Sequence, residues 1–205
     1  YAHKRGGRIS TERQSTDVLL RVLAERSPAL EGHTHHVTEF AGAVAERLGL
    51  TADAVKDVRS AAELHDVGKI AIPDDILEKP NTLSADEWSF MQRHTLIGAR
   101  ILGAAPALDR VAPLVRSSHE RWDGSGYPDG LAGDEIPLGA RIVAVCDAFD
   151  AMISDRSYSP AMPPTAALYE LRRCAGSQFD PLVVDAFCAA WDQAVEAGES
   201  ATVAA

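Results

Sequence analysis

Residues 64–69, LHDVGK, form the most informative stretch of the chain, and they follow an apolar helical pattern. Gly68 predicts the end of that helix, because glycine is a common residue where helices stop. At a fraying helix end, the side chains of His65 and Asp66 can converge on one point. This nitrogen and oxygen ligand pair suits Fe, Mn, Zn or Ni better than Mg or Ca. Lys69 adds a mobile positive charge near the place where an anionic substrate would lie.

The same pair has a simpler interpretation when it is taken alone. An isolated histidine and aspartate at a helix end usually form a cap or a hydrogen-bonded polar pair. Asp66 could instead bridge two metal ions, because its carboxylate has two oxygens. The residue therefore has two competing interpretations, a polar partner of His65 or a metal ligand. The rest of the chain has to distinguish them.

Composition restricts the class of protein. The chain has 205 residues, of which 46% are hydrophobic and 24% charged, as expected for one globular domain with flanking segments. A formal net charge of −10 argues against a nucleic-acid polymer or an anionic membrane surface as a partner, but not against a small anionic ligand held by metals. No apolar run approaches the roughly 18–20 residues of a membrane span, and no signal peptide is recognisable. Three separated cysteines lack metal-site spacing and favour a reducing cytoplasm.

Apolar spacing along the chain is helical almost throughout, which predicts an all-α fold. Residues 140–147 could pass for a buried strand by composition, but the pattern continues at helical spacing to Met152. The run is therefore predicted to be a buried helix. Asp147 lies within it, and a carboxylate in so apolar a segment is costly unless a partner such as a metal offsets its burial.

A capping box at Ser84 and Glu87 predicts the start of another helix. Its spacing places Trp88 and Met91 on the inward face, and His94 follows at a position that also faces inward. Beyond it, residues 121–133 form a loop dense in glycine, aspartate and proline. Structured loops of this length inside a domain are usually functional.

Six potential ligands lie at or beside the buried stripe of a predicted helix, or at its end. A single histidine on an apolar face is more often a core residue than a ligand, but six such groups in one all-α chain favour a two-metal site. They are His33, His65, Asp66, His94, His119 and Asp147.

This ordered set resembles the HD-GYP family of HD-domain phosphodiesterases from about residue 30 to residue 187. The matching phrases include HDVGKIAIPD, HTLIGA, HERWDGSGYPDGL, DAFDAM and QFDP. The resemblance implies an HD-domain helical bundle that hydrolyses cyclic di-GMP to linear pGpG, and potentially to GMP. It also implies two divalent metal ions, Fe or Mn, that hold an attacking hydroxide between them.

The resemblance also assigns roles to individual residues. One metal would be bound by His33, His65, Asp66 and Asp147, and the other by Asp66, His94 and His119. Asp66 and Lys69 would be the catalytic pair. Substrate contacts would come from Lys69, Tyr127, Asp150 and Arg156, although loop packing explains Tyr127 equally well.

Three positions depart from the family pattern. Ser118 stands where the family usually has a first histidine before the loop glutamate, which predicts a weakened second metal site. Ala29 replaces the glutamate of three-metal members, so no third metal is expected. His36 takes the place of a supporting arginine. An active phosphodiesterase is still expected. The alternatives are a weak or inactive module that binds nucleotide or partner proteins, and an HD hydrolase that acts on another phosphate ester.

The predicted domain spans residues 15–192, between a linker at 1–14 and a disordered tail at 193–205. The first segment, YAHKRGGR, resembles the end of diguanylate cyclase (GGDEF) domains. This predicts a GGDEF domain in the same full-length chain. A homodimer is a further expectation, since signalling domains on helical linkers often pair.

Overall fold

The computed structural model describes residues 11–26, 31–155 and 161–198, and within 31–34 it describes the backbone alone. This part of the chain is built from α-helices and short 3₁₀ turns, and its only β-type pairing is an isolated bridge between Ala175 and Phe179. The all-α prediction is therefore confirmed. The helices are α1 (Thr11–Arg26), α2 (Glu31–Arg47), α3 (Ala52–Leu64), α4 (Asp74–Leu77), α5 (Ala85–Gln92), α6 (His94–Gly103), α7 (Ala112–Arg116), α8 (Leu138–Ile153), α9 (Pro164–Cys174) and α10 (Pro181–Glu196).

The centre of the bundle is formed by α2, α3 and α8, which all pack against one another. Alanines at the contacts, among them Ala41, Ala61 and Ala140, are fully buried and allow the helix axes to approach closely. On the side of α10, Phe149 packs against Phe187 with ring centroids 4.7 Å apart. Each large apolar side chain buried in this way contributes about 1.5–3 kcal/mol.

The segment 140–152 is helical, as predicted, and forms most of α8. At the two ends of the domain, α1 begins at Thr11 and α10 continues to Glu196. The predicted boundaries at residues 15 and 192 thus fall inside helices, while the division into linker, domain and tail stays a prediction. None of the described helices combines the length and the apolarity that crossing a bilayer requires.

The role predicted for Gly68 was wrong. Helix α3 starts at its Thr51 cap but ends at Leu64, and Gly68 lies within a 3₁₀ turn at Val67–Ala71. A Cβ atom on Gly68 would lie 1.9 Å from the carbonyl oxygen of His94, the first residue of α6. Glycine is needed here because the turn packs directly against the backbone of α6.

The capping box of α5 is confirmed: Glu87 N donates to Ser84 Oγ at 3.3 Å, and Ser84 N donates to Glu87 Oε2 at 2.7 Å. The inward direction predicted for Trp88 was wrong, because 49% of this residue is exposed. No residue of α5 is buried, so the helix lies on the surface, against α4 and α6. Met91 is partly buried and His94 is buried.

Candidate metal centre

His65 and Asp66 lie where α3 gives way to the 3₁₀ turn, and both are buried. His65 Nδ1 lies 2.8 Å from the carbonyl oxygen of Ala62, a geometry in which Nδ1–H donates and the Nε2 lone pair points away. Nε2 is 3.6 Å from Asp66 Oδ2 and 3.6 Å from Asp147 Oδ1. A backbone acceptor on one ring nitrogen is the usual way to orient a histidine that binds metal through the other.

His94 repeats this arrangement from the start of α6. Its Nδ1 lies 2.8 Å from the carbonyl oxygen of Met91, and its Nε2 is 3.8 Å from Asp66 Oδ1. The Nε2 atoms of His94 and His119 are both buried and have no hydrogen-bond partner within the described residues. Leaving a buried nitrogen unpaired costs about 1–3 kcal/mol, so a buried unpaired group in a folded protein calls for an explanation.

Ligand atoms from Asp66, His94 and His119 all lie within 4.8 Å of one another. Metal–ligand bonds of about 2.0–2.2 Å bring ligand atoms to such mutual distances after small side-chain adjustments. Two unpaired imidazole nitrogens and one carboxylate are also a chemically suitable donor set. The residues present therefore fit a divalent transition metal.

Burial and charge around the cluster favour the protonation states in which these side chains can bind a metal ion. Burial raises the pKa of Asp66, but the charges of Lys69, His65 and His94 outweigh it, and the net shift is downward. Asp66 thus carries its negative charge at neutral pH. Burial lowers the pKa of His94 to about 4 and also lowers the pKa of His119. Neutral imidazoles have a free lone pair, so a metal ion need not displace a proton from either ring.

His65 differs from the other two imidazoles. Burial lowers its pKa, but the carboxylates of Asp66 and Asp147 raise it by more than burial lowers it, so the net shift is upward. The two carboxylates therefore already attract positive charge at this point. A metal ion bound at this point would interact favourably with the same two carboxylates.

Lys69 forms a close ion pair with the cluster, its Nζ lying 2.7 Å from Asp66 Oδ2. Its side chain is 22% exposed. The ammonium group therefore lies beside the buried carboxylate, and part of the Lys69 side chain reaches solvent. The role predicted for Lys69, a positive charge near an anionic substrate, stays a prediction.

The loop after α7 covers His119. The ring of Tyr127 stacks on the His119 ring with centroids 5.2 Å apart and an interplanar angle of 13°. Gly126 is required where the loop crosses itself, since a Cβ atom there would lie 2.3 Å from Arg121 N. Burial raises the pKa of the Tyr127 hydroxyl, which stays protonated as a hydrogen-bond donor. The Tyr127 ring thus packs against His119 and His94, and its contact with a substrate remains a prediction.

Sequence reasoning missed Glu120, which holds this loop in place. The residue is 4% exposed, and its carboxylate accepts hydrogen bonds from Asp129 N at 2.7 Å and Leu131 N at 3.1 Å. The sequence did contain a signal for this role, since Glu120 directly follows a candidate ligand and precedes a glycine-rich loop. A carboxylate at that position can accept hydrogen bonds from the N–H groups of the loop. Glu120 therefore fixes the loop that carries Tyr127 over His119.

Asp150 lies one turn beyond Asp147 in α8 and is fully buried. Its Oδ1 is 3.2 Å from His36 Nδ1, and its Oδ2 accepts a hydrogen bond from Ser154 Oγ at 3.3 Å. The role of His36 as a partner for Asp150 was not predicted. Contact between Asp150 and substrate stays a prediction, since these partners are within the protein.

Three predicted positions fall outside the described side chains. They are Ala29, His33 and Arg156, of which only the backbone of His33 lies in a described helix, α2. Their assignments stay predictions. The other predicted ligands, His65, Asp66, His94, His119 and Asp147, meet in one region between α3, α6, α8 and the loop after α7.

A comparison with protein families adds the decisive observation. The family model for the HD domain matches residues 17–183. This chain belongs to the HD-domain family. The match covers the helices and the turn that supply the cluster.

Similar proteins include two curated relatives of this HD domain. The cyclic di-GMP phosphodiesterase response regulator RpfG of Xanthomonas campestris is 46% identical over 177 residues, covering 85% of this chain and 47% of the relative. A cyclic di-GMP phosphodiesterase of Thermotoga maritima is 44% identical over 172 residues, covering 82% of this chain and 47% of the relative. The chain thus spans about half the length of these relatives.

The fold of the HD domain also matches solved structures. A cyclic GMP-AMP-specific phosphodiesterase of Vibrio cholerae aligns with a TM-score of 0.62 and 20% identity, covering 89% of this chain and 47% of the other. At that identity the likeness is one of fold, and it agrees with the helical bundle described above.

Proposed function

We propose that this HD domain is a metal-dependent phosphodiesterase that hydrolyses cyclic di-GMP to linear pGpG, and then to GMP. The observation that supports this function most strongly is the pair of buried, unpaired imidazole nitrogens of His94 and His119 beside Asp66. The family membership and the names of the two curated relatives support the substrate class. In the reaction, water adds across one P–O3′ bond and leaves a 5′-phosphate and a free 3′-hydroxyl.

Two metal ions are proposed, and Asp66 would belong to the ligand set of each. His65, Asp147 and His33 would hold one ion with it, and His94 and His119 would hold the other. The 3.6 Å distances from His65 Nε2 to both carboxylates support the first set. Bound divalent ions, Fe or Mn, supply an activated water and neutralise charge on the phosphate.

The side chains of this chain have separate tasks in the proposed reaction. Lys69 binds a phosphate oxygen, for which its partly exposed ammonium group next to Asp66 is well placed. Tyr127 remains protonated and donates a hydrogen bond at the cavity edge. Arg156 contacts a phosphate, and Asp150 orients the site through His36 or contacts the substrate directly.

The test of this function is a hydrolysis assay with the purified chain, loaded with Mn²⁺ or Fe²⁺ under anaerobic conditions. Chromatography should show loss of cyclic di-GMP and formation of pGpG, and a chelator should abolish turnover. A parallel panel of cyclic GMP-AMP and cyclic di-AMP measures base selectivity. Turnover that persists after complete metal removal would contradict the proposal.

Lys69 gives a prediction in which turnover falls and metal binding does not. Lys69→Met removes a phosphate contact and should lower kcat/KM about 100-fold. The same change removes the cation that competes for Asp66 Oδ2, so Mn²⁺ affinity should be equal or higher. Steady-state kinetics and Mn²⁺ titration calorimetry measure the two quantities. Lys56→Met is the control, because Lys56 is an exposed lysine paired with Glu12. A loss of metal binding in Lys69→Met would argue against this role.

A second candidate, a weak or inactive module, is favoured by one observation at Ser118. Its hydroxyl donates to the carbonyl oxygen of Val115 at 3.0 Å, and the residue is 3% exposed. The hydroxyl is thus engaged by the backbone, which supports a second metal site with one ligand fewer.

Ser118→His should therefore raise the metal content toward two ions per chain and increase turnover about 10-fold, since loss of a residue that only supports a metal ligand already costs about 10–100-fold in affinity or activity. Ser117→His is a matched control, because Ser117 is equally buried and next in sequence. Metal analysis and turnover decide the outcome. If Ser118→His matches the unmodified chain in both measurements, Ser118 does not limit the second site.

The partners and the location predicted from the sequence are also proposed. A GGDEF domain in the full-length chain, a homodimer and a cytoplasmic location all remain proposals that fit a signalling hydrolase.

A further inference from the structure

Trp88 is an exposed aromatic residue at the edge of the metal centre. It is 49% exposed, and α5, to which it belongs, has no buried residue. Exposing half of an indole forgoes much of the stabilisation that its burial would provide. Single exposed apolar residues are nevertheless common on protein surfaces, so the neighbours of Trp88 decide whether it has a role.

Those neighbours connect Trp88 with the metal ligands. The ring of Trp88 meets Tyr127 edge to face, with centroids 6.4 Å apart and an interplanar angle of 82°. Tyr127 in turn stacks on His119. A row of three rings thus leads from the ligand cluster to solvent.

The carboxylate of Glu87, next to Trp88, has its partners within the protein. Glu87, the preceding residue, is paired with Lys79 Nζ at 2.6 Å and also accepts a hydrogen bond from Ser84 N. Its charge is therefore balanced within the protein. The pair also fixes the first turn of α5, which holds Trp88 without burying it.

From this arrangement we propose that Trp88 is the stacking surface for one purine base of the cyclic dinucleotide. The inference rests on the proposed function, in which a phosphate lies at Asp66, His94 and His119. In a nucleotide a single ribose separates the phosphate from the base, so a base can extend from the cluster along the row of rings to α5. Stacking uses the face of the indole and does not read base-edge hydrogen bonds, so guanine and adenine should both be accepted.

The kinetic test compares two diesters in the metal-loaded chain. Cyclic di-GMP has purine bases, whereas bis(p-nitrophenyl) phosphate has none. Trp88→Ala should raise the KM for cyclic di-GMP about 10-fold, and the ratio of the two kcat/KM values should fall by a similar factor. Trp88→Phe should restore most of the ratio, because phenylalanine also stacks. Tyr169→Ala is the control, since Tyr169 is an exposed aromatic residue on α9.

A binding test separates this inference from the proposed function. Titration with GMP should quench tryptophan fluorescence saturably in the unmodified chain and in Tyr169→Ala, and most of the quenching should be lost in Trp88→Phe. Quenching through Trp88 without any hydrolysis would uphold the base contact and contradict the phosphodiesterase. Hydrolysis with an unchanged substrate ratio in Trp88→Ala would overturn the base contact alone. Absence of both turnover and quenching in the unmodified chain would overturn both.

Discussion

Replacement of Asp66 by asparagine is expected to abolish metal binding and to lower cyclic di-GMP turnover on the order of 10³-fold or more. Asp66 is the point where both proposed ligand sets meet, and its carboxylate lies near His65, His94 and Lys69. Asparagine keeps the shape of the side chain but removes the charge. The amide therefore cannot neutralise the metal ions or the lysine. Metal analysis after dialysis and a hydrolysis assay measure the two effects.

Asp192→Asn is the matched control for this substitution. Asp192 is an exposed residue of α10, and its replacement by asparagine removes the same single negative charge. It should keep the metal content and the rate of the unmodified chain. Full metal content in Asp66→Asn would show that Asp66 is not the shared ligand.

The second large effect is expected from Gly68→Ala, which should lower the free energy of unfolding by about 2–3 kcal/mol. The new Cβ atom would lie 1.9 Å from the His94 carbonyl oxygen and 2.6 Å from Gly98 N, and both contacts involve backbone atoms that cannot move aside easily. The 3₁₀ turn and α6 would have to separate. Because Asp66 directly precedes the turn and His94 begins α6, the ligand atoms would move apart as well. Thermal unfolding should show a fall of about 5–10 °C.

Gly103→Ala provides the control, because Gly103 lies in α6, the helix against which the turn packs. No atom lies within 4 Å of a Cβ atom at Gly103, and alanine is the better helix former. This variant should unfold at the same temperature as the unmodified chain or slightly above it. If Gly68→Ala behaved like Gly103→Ala in stability and metal content, the close packing of the turn on α6 would not be what positions the ligands.

The sequence was sufficient to predict the helical fold and the approach of His65 to Asp66, because both follow from short-range spacing. Convergence of His94, His119 and Asp147 on the same place is a long-range property. It could be expected from the number of buried ligand types, but its geometry depends on how the helices pack. Distances such as 3.6 Å from His65 Nε2 to Asp147 Oδ1 emerge only from that packing.

Other features were beyond the reach of the sequence pattern. Periodicity identified an apolar side of α5, yet it cannot tell whether a neighbouring element covers that side, and Trp88 remains exposed. Gly68 resembled a helix stop because glycine is frequent there, while its necessity comes from the backbone of α6, 26 or more residues away in sequence. The pairing of His36 with Asp150 likewise joins α2 to α8 and has no local signal.

A crystal structure of the chain grown with Mn²⁺, with anomalous scattering recorded for the metal, tests the two-metal centre most directly. We expect one Mn²⁺ peak coordinated by Asp66, His94 and His119, and a second peak coordinated by His65, Asp66 and Asp147. Crystals in which these five side chains bind no Mn²⁺, and contact only one another while metal is in excess, would rule this centre out.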